Sequence, residues 1–203
     1  MGPSPSRLTD HHQSLVIDAS VAINLLGSGS PVTLLRALRR PLTIEEIARE
    51  EVRRNPADGR PAREALDKLA DEGLLAYARL SDSAYTVFTD LTGAEPPDDL
   101  GDGEAASIAH AENISGSVLL DDGKAQRIAL SRLEHHNVLS TLDVLSSDAI
   151  VRTIERELLI QLTVAMLQNA RMRVSLRFRQ WVVSLIGPER AARCQSIGGV
   201  GRG

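Results

Sequence analysis

Near its N-terminus the chain reads Leu15-Val16-Ile17-Asp18-Ala19-Ser20. An apolar run thus ends abruptly in a carboxylate, and Gly, Ser and Pro at 27–31 precede the next helical pattern. This order is typical of a buried parallel strand that leads into a helix. A buried Asp18 costs free energy unless other groups compensate its charge. In open α/β sheets ligands bind at this edge, so acidic residues elsewhere in the chain are candidates for the same site.

Composition bounds the class of protein. The 203 residues suit one domain or two small ones, and 42% hydrophobic residues suffice for a core. Aromatic residues make up only 2%, which argues against an RNA-binding surface of stacked aromatic side chains. Residues 1–150 carry 14 Lys and Arg against 24 Asp and Glu, whereas residues 151–203 carry 9 Arg against 3 Glu. This asymmetry indicates either a polyanionic or acidic partner or a solvated basic face.

The expected compartment is the cytoplasm. Cys194 is the single cysteine, which excludes a disulfide framework and a cysteine zinc site and suits a reducing environment. Residues 1–10 lack the apolar segment of a signal peptide. No apolar run approaches the ~18 residues that a membrane helix needs, so we expect no membrane association.

The chain divides into an expected disordered segment at 1–12, one domain at 13–187 and a flexible tail at 188–203. Apolar runs predict short strands near 14–18, 41–43, 74–77, 117–120 and 137–139, with helical patterns between and after them. Thr43–Glu46 has the spacing of a capping box, which predicts a helix from there to about Arg54. The alternation of strands and helices indicates an α/β fold with a parallel sheet.

Acidic residues stand at several key positions. Asp18 ends strand one, and Asp121 and Asp122 end strand four; in a sheet of order 3-2-1-4-5 these strands are neighbours. Glu104 lies in the first turn of a helix, and Glu51 lies along the apolar face of another. Such close carboxylates repel each other unless a divalent cation sits among them. Taken singly, Glu51 or Glu104 fits a helix cap facing solvent better, but the set favours a site.

An all-oxygen site without His or Cys suits Mg²⁺ or Mn²⁺. Such an ion can activate a water for attack on phosphorus and stabilise the leaving oxygen. The residues alone therefore favour a site for a divalent cation.

Four segments resemble the successive motifs of PIN-domain nucleases, close to the VapC-type toxins of toxin–antitoxin pairs. They are Leu15–Ser20, Ala48–Val52, Leu100–Ala111 and Leu119–Ala129. The resemblance spans about residues 13–187. It implies a PIN-like (flavodoxin-like) three-layer α/β/α sandwich with a central parallel sheet of about five strands in the order 3-2-1-4-5. It also implies metal-dependent hydrolysis of RNA.

Position by position, the resemblance implies that Mg²⁺ or Mn²⁺ is held by Asp18, Glu104 and Asp121 or Asp122 or both. Glu51 matches a further acidic catalytic position, although Glu50 fits it as well. Ser20 matches a hydroxyl position that orients the first Asp or a metal-bound water. The usual basic position is Gln126 here, with Arg127 one place after it.

A basic cluster follows near the C-terminus. It comprises Arg171, Arg173, Arg177 and Arg179. Arginines pair readily with phosphates or carboxylates, so the cluster fits an RNA-binding rim, salt bridges to the acidic body, or a dimer edge.

The leading hypothesis is a metal-dependent endoribonuclease, acting as the toxin of a toxin–antitoxin pair. The resemblance implies a homodimer and a small antitoxin that covers the acidic cleft. A hypothesis of a different class is a catalytically weak PIN-fold binding or scaffold module.

Overall fold

A computed structural model describes residues 4–9, 11–12, 14–194 and 197. Its centre is a five-stranded parallel sheet in the order β3-β2-β1-β4-β5. The strands are β1 (Leu15–Ile17), β2 (Leu42–Glu45), β3 (Leu75–Ala78), β4 (Ser117–Leu119) and β5 (Val138–Leu139). The predicted fold class and strand order are therefore confirmed: helices flank the sheet in an α/β/α sandwich.

Helices connect and follow the strands, and a 3-10 turn at His135–Asn137 precedes β5. Before β4 the helices are α1 (Ala19–Gly27), α2 (Pro31–Leu38), α3 (Glu46–Glu51), α4 (Ala62–Asp71), α5 (Asp82–Thr92) and α6 (Asp102–Asn113). After it come α7 (Gly123–Arg132), α8 (Thr141–Leu145), α9 (Asp148–Thr153), α10 (Arg156–Asn169), α11 (Leu176–Ile186) and α12 (Pro188–Ala192).

Strand β1 lies in the middle of the sheet, and its side chains alternate between two cores. Leu15 and Ile17 belong to the larger core, whereas Val16 belongs to the smaller core on the other face. All three are almost completely buried, which explains why the strand reads as a continuous apolar run. Helix α6 packs against the sheet through fully buried small residues, and Ser107 Oγ donates to Ile17 O at 3.4 Å. The N-terminus of α6 is thereby held close to the end of β1.

The second strand is longer than the sequence predicts. The capping-box pattern places a helix start at Thr43, but β2 continues through Glu45 and α3 runs only from Glu46 to Glu51. The cap is supplied by Glu45 instead, whose carboxylate accepts from Ile47 N at 2.5 Å. Burial raises the pKa of this carboxyl, and the helix N-terminus lowers it in part. Residue spacing alone does not show that Glu45 both ends the strand and caps the following helix from a buried position.

The segments at both ends of the chain contact the body where they are described. Ser6 Oγ donates to Asp143 O at 2.6 Å, Arg7 N donates to Asp143 Oδ1 at 2.8 Å, and Leu8 is buried. Arg7 N thereby supplies one of the donors that the buried Asp143 carboxylate requires, and the expected disorder of residues 1–12 as a whole stays a prediction. In the expected tail, α12 forms and Ala191 and Cys194 are buried. The remaining positions of these two predictions, 1–3, 10, 195–196 and 198–203, lie outside the described residues.

Among the described residues, no single helix combines the length and the apolar composition that crossing a membrane requires. Helices α1 and α2 meet these criteria only when taken together, and the chain bends by 112° between them.

Candidate active site

Acidic residues meet where β1 and β4 end side by side. Ile17 pairs with Leu119, and Asp18 N donates to Leu119 O at 3.2 Å, so the residues after both strands converge as the sequence predicts. A pocket of about 350 Å³ opens at this edge. It is lined by Ser20, Ile23, Asn24, Glu104, Asp121, Asp122 and residues 170–173.

Asp18 is buried behind Ser20 and caps α1. Its Oδ2 accepts from Ser20 N at 3.2 Å and from Ser20 Oγ at 2.7 Å. Its Oδ1 is buried and finds no hydrogen-bond partner in the described part of the chain. Burial raises the pKa of this carboxyl, and the charge of Asp122 raises it further. An unpartnered buried carboxylate oxygen is costly unless a ligand satisfies it.

Glu104 reaches the same pocket from the first turn of α6. Its Oε2 accepts from Gly101 N at 3.4 Å, and the side chain is half-buried. Burial raises the pKa of Glu104, and the charges of Asp18 and Asp122 add to this effect. The charges of Asp18 and Asp122 thus both act on Glu104, and a bound cation would relieve this repulsion.

Asp121 and Asp122 have different surroundings. The Asp121 carboxylate accepts from Thr141 N at 3.0 Å, from Thr141 Oγ1, and from Asn24 Nδ2 at 2.7 Å. These contacts connect the end of β4 to α1 and α8. Burial nevertheless raises the pKa of Asp121, and the charge of Asp18 adds to the rise. Asp121 thus has its oxygens engaged by protein donors.

Asp122 keeps one oxygen for an exchangeable partner. Its Oδ1 caps α7 by accepting from Lys124 N at 2.8 Å and from Ala125 N at 3.2 Å. Its Oδ2 pairs with Arg173 Nη1 at 3.1 Å across the pocket. Of the two neighbouring carboxylates, Asp122 is therefore the better candidate ligand.

The sequence did not single out Asn24 or Thr141. Asn24 is the polar residue inside the otherwise apolar Val21–Gly27 stretch, and this exception in the pattern could have marked it as a candidate site residue. Thr141 lies two residues after β5 and begins α8, at the same edge of the sheet as the carboxylates. Both residues donate hydrogen bonds to the Asp121 carboxylate, so they hold that side chain in place without adding charge to the site.

Glu51 lies at the end of α3 and contacts the backbone of α6. Its Oε1 accepts from Gly103 N at 2.8 Å, and a Cβ added at Gly103 would lie 2.7 Å from the Glu51 carboxyl carbon. Position 103 therefore admits only glycine without displacing Glu51. Glu50, the alternative for this position, is exposed and has no comparable contact among the described residues. Glu51 thus caps the helix that carries Glu104, one residue away.

We expect Glu51→Gln to keep most of the activity, and Glu51→Ala to lose about tenfold and to destabilise the fold by about 1 kcal/mol. A glutamine oxygen still accepts from Gly103 N, whereas alanine leaves the helix N-terminus without its cap. Steady-state cleavage rates and urea unfolding of both variants measure this. Equal losses of activity in the two variants would instead indicate that the charge of Glu51 binds a metal ion.

The four arginines of the basic cluster have different surroundings. Arg171 and Arg173 lie in the irregular segment after α10 and line the pocket. Arg177 Nη2 pairs with the buried Asp143 Oδ2 at 2.6 Å, and Arg179 is half-buried on α11. Gln126, which occupies the usual basic position of the family, lies on α7, and its Nε2 donates to Leu120 O at 2.6 Å. The neighbouring Arg127 pairs with the exposed Asp98. Arg171 and Arg173 therefore line the pocket, and the charge of Lys124 acts on Glu104.

The chemistry of the donors fits a hydrated divalent cation. No three His, Cys, Asp or Glu side chains of the described residues are close enough to hold an ion directly between them. The fit comes from Asp18 Oδ1, which is buried and has no hydrogen-bond partner among the described residues, and from Glu104, whose carboxylate feels the charges of Asp18 and Asp122. Mg²⁺ retains several waters and needs few direct carboxylate ligands. Asp18, Glu104 and Asp122 are the residues that could hold such an ion.

Comparison with protein families gives one match. A family model described as a PIN domain matches residues 14–188, which include all five strands and every acidic residue of the pocket. Comparison with curated proteins gave no significant match, and comparison with solved structures gave none either.

Proposed function

Because the chain belongs to the PIN-domain family and has its nuclease-type fold, we propose that it is a metal-dependent endoribonuclease. The observation that carries this proposal is that Asp18 Oδ1 is buried and has no hydrogen-bond partner among the described residues, while the charge of Asp18 acts on Glu104 at the pocket. A carboxylate that served only to cap a helix would not need a second, buried oxygen that lacks a hydrogen-bond donor. The proposed cofactor is Mg²⁺ or Mn²⁺, and the substrate is an RNA phosphodiester.

The bound cation supplies positive charge that activates a water and stabilises the leaving oxygen. The protein residues prepare this chemistry. Ser20 binds one oxygen of Asp18 and leaves the other available, while Glu51 fixes the helix turn that carries Glu104. Asp121 fixes the end of β4 through Thr141 and Asn24, so that Asp122 faces the pocket. In-line attack by water leaves a 3′-hydroxyl and a 5′-phosphate.

The proposal extends to partners. As a toxin of the VapC type, the protein would pair as a homodimer and would be inhibited by a small antitoxin. An Arg or Lys of that antitoxin would complement the carboxylates of the pocket, as Arg173 already does for Asp122.

A scaffold without catalysis is the second candidate function. It is favoured by one observation: Asp122 is paired with Arg173 and Asp121 is occupied by protein donors, which leaves few free ligand oxygens. In this alternative the pocket binds no metal.

Incubation of a mixed pool of structured RNA with Mn²⁺, Mg²⁺ or EDTA tests the proposed function. We expect cleavage with either metal ion, giving products with 5′-phosphates, and no cleavage in EDTA. Cleavage that persists in EDTA contradicts the metal-dependent mechanism. The absence of both cleavage and Mn²⁺ binding would favour the scaffold.

Arg171→Gly should make the protein more stable but weaken its binding of RNA. Arg171 has φ +54°, a left-handed conformation that suits glycine, and no described residue forms a hydrogen bond or ion pair with its side chain. Glycine should therefore raise stability by about 0.5–1 kcal/mol, measured by urea unfolding. Loss of one charged phosphate contact should weaken RNA binding about tenfold, measured by fluorescence anisotropy.

Arg39→Gly is the matched control, because Arg39 is also left-handed, at φ 59°, but lies at the end of α2. It should gain similar stability without losing RNA affinity. Equal RNA affinity of wild type and Arg171→Gly would exclude Arg171 from the RNA interface.

A further inference from the structure

The segment between α10 and α11, residues 170–174, lies over the acidic pocket; we name it the arginine arm. Its backbone is fixed against α1. Asn169 Nδ2 donates to Gly27 O at 2.9 Å, and a Cβ added at Gly27 would lie 2.7 Å from Ala170 Cβ. Met172 is almost fully buried, and its N donates to Met166 O at 3.2 Å. The arm therefore presents Arg171 and Arg173 from a fixed base, and both side chains are exposed.

The contact between Arg173 and Asp122 can be broken at little cost. It consists of one Nη1–Oδ2 pair at 3.1 Å, and the Arg173 side chain is 76% exposed. Ion pairs as exposed as this contribute little to stability. Asp122 does not depend on Arg173 for its position, because its Oδ1 stays on the backbone of α7. Arg173 can leave Asp122 without disturbing that carboxylate.

The contact between Arg173 and Asp122 affects the balance of charge at the pocket. Arg173 compensates one of the carboxylates that repel one another beside the pocket. When Asp122 binds a divalent cation, the same negative charge is no longer available to the guanidinium. An RNA phosphate at the pocket is then the strongest acceptor within reach, because guanidinium groups bind phosphate through paired hydrogen bonds.

We propose that Arg173 exchanges partners, leaving Asp122 for the scissile phosphate when the pocket binds a divalent cation. This inference rests on the proposed function. It makes Arg173 a positioning residue for the RNA and makes the pocket self-inhibited without a cation. It also couples the two ligands: cation binding raises the affinity for RNA, and RNA raises the affinity for the cation by the same factor.

The variant that tests this exchange is Arg173→Met, which keeps most of the apolar stem and removes the charge. Its matched control is Arg127→Met, which breaks the equally simple ion pair to Asp98 outside the pocket. In calorimetric titrations without RNA, we expect Arg173→Met to bind Mn²⁺ about three- to tenfold more tightly than wild type, since one competitor for Asp122 is gone. Arg127→Met should match wild type.

The second readout is RNA affinity with and without Mn²⁺, measured by anisotropy with a fluorescein-labelled phosphorothioate RNA of mixed sequence. Wild type and Arg127→Met should bind this RNA more tightly when Mn²⁺ is present, and Arg173→Met should lose most of that gain. Unchanged Mn²⁺ affinity in Arg173→Met overturns the exchange but leaves the proposed function standing. No Mn²⁺ binding by wild type overturns both.

Discussion

Asp18→Asn should abolish RNA cleavage and yet raise the stability of the metal-free protein. The loss of a carboxylate that holds the cation removes several kcal/mol of transition-state stabilisation, a fall of about a thousandfold or more in rate. The gain arises because the charge of Asp18 is buried and its Oδ1 has no partner among the described residues. Asparagine keeps an oxygen for the two Ser20 donors and removes the charge. We expect a gain of about 1–3 kcal/mol.

The pH dependence of this gain follows from the direction of the pKa shift. Burial raises the pKa of Asp18 above its unfolded value, so the folded protein binds a proton more readily than the unfolded chain. Stability therefore falls as pH rises from the unfolded pKa of about 3.9 to the raised one, and the full cost is present above both. Asp18→Asn should be more stable than wild type at pH 7 and similar to it below about pH 4.

Urea unfolding in EDTA at pH 7 and pH 4 measures the effect, and RNA cleavage in Mn²⁺ measures the loss of activity. Asp148→Asn is the control, because Asp148 is exposed and pairs with Arg152 on its own helix. A variant Asp18→Asn that is less stable than wild type at pH 7 in EDTA would mean that the Asp18 charge is already compensated.

Arg177→Met should be among the most destabilising single substitutions in the chain, by about 3–5 kcal/mol. Asp143 is completely buried, and Arg177 is the cation that pairs with it, at 2.6 Å. Removal of the arginine leaves the buried carboxylate with neutral hydrogen-bond donors from Ser140 and from Arg7 N, and with the Arg7 guanidinium as a nearby charge, unpaired among the described residues. An uncompensated buried charge costs far more than an exposed ion pair contributes.

Equilibrium urea unfolding at pH 7 gives this free energy. Arg127→Met removes an arginine from an exposed pair in which both side chains are more than half accessible, so it should cost less than about 1 kcal/mol. If Arg177→Met costs no more than this control, the nearby guanidinium of Arg7 compensates Asp143 by itself.

The fold and the meeting of the carboxylates follow from local sequence patterns. The run at 15–17 is apolar throughout because β1 is buried on both faces, and parallel strands end at a common edge. Asp18 and the pair after β4 are therefore neighbours by topology. The match to the PIN-domain family model over residues 14–188 supports the fold.

The division of roles among the acids depends on tertiary contacts that residue spacing does not reveal. Glu51 contacts a backbone N–H 52 positions away, and Asp121 is engaged by Thr141 and Asn24. Nothing in the run Asp121-Asp122 distinguishes the two before those partners are placed. The arginines show the same limit: Arg173 and Arg177 are close in sequence, but an irregular segment and a helix direct them to different carboxylates.

Calorimetric titration of the metal-free protein with Mn²⁺ tests whether Asp18, Glu104 and Asp122 form a metal centre. Wild type and the surface control Asp148→Asn should bind the ion alike. Asp18→Asn and Glu104→Gln should each bind it at least tenfold more weakly, because each removes one charged oxygen donor. Equal Mn²⁺ affinity in all four proteins, or no binding by wild type, would contradict a metal centre at these carboxylates.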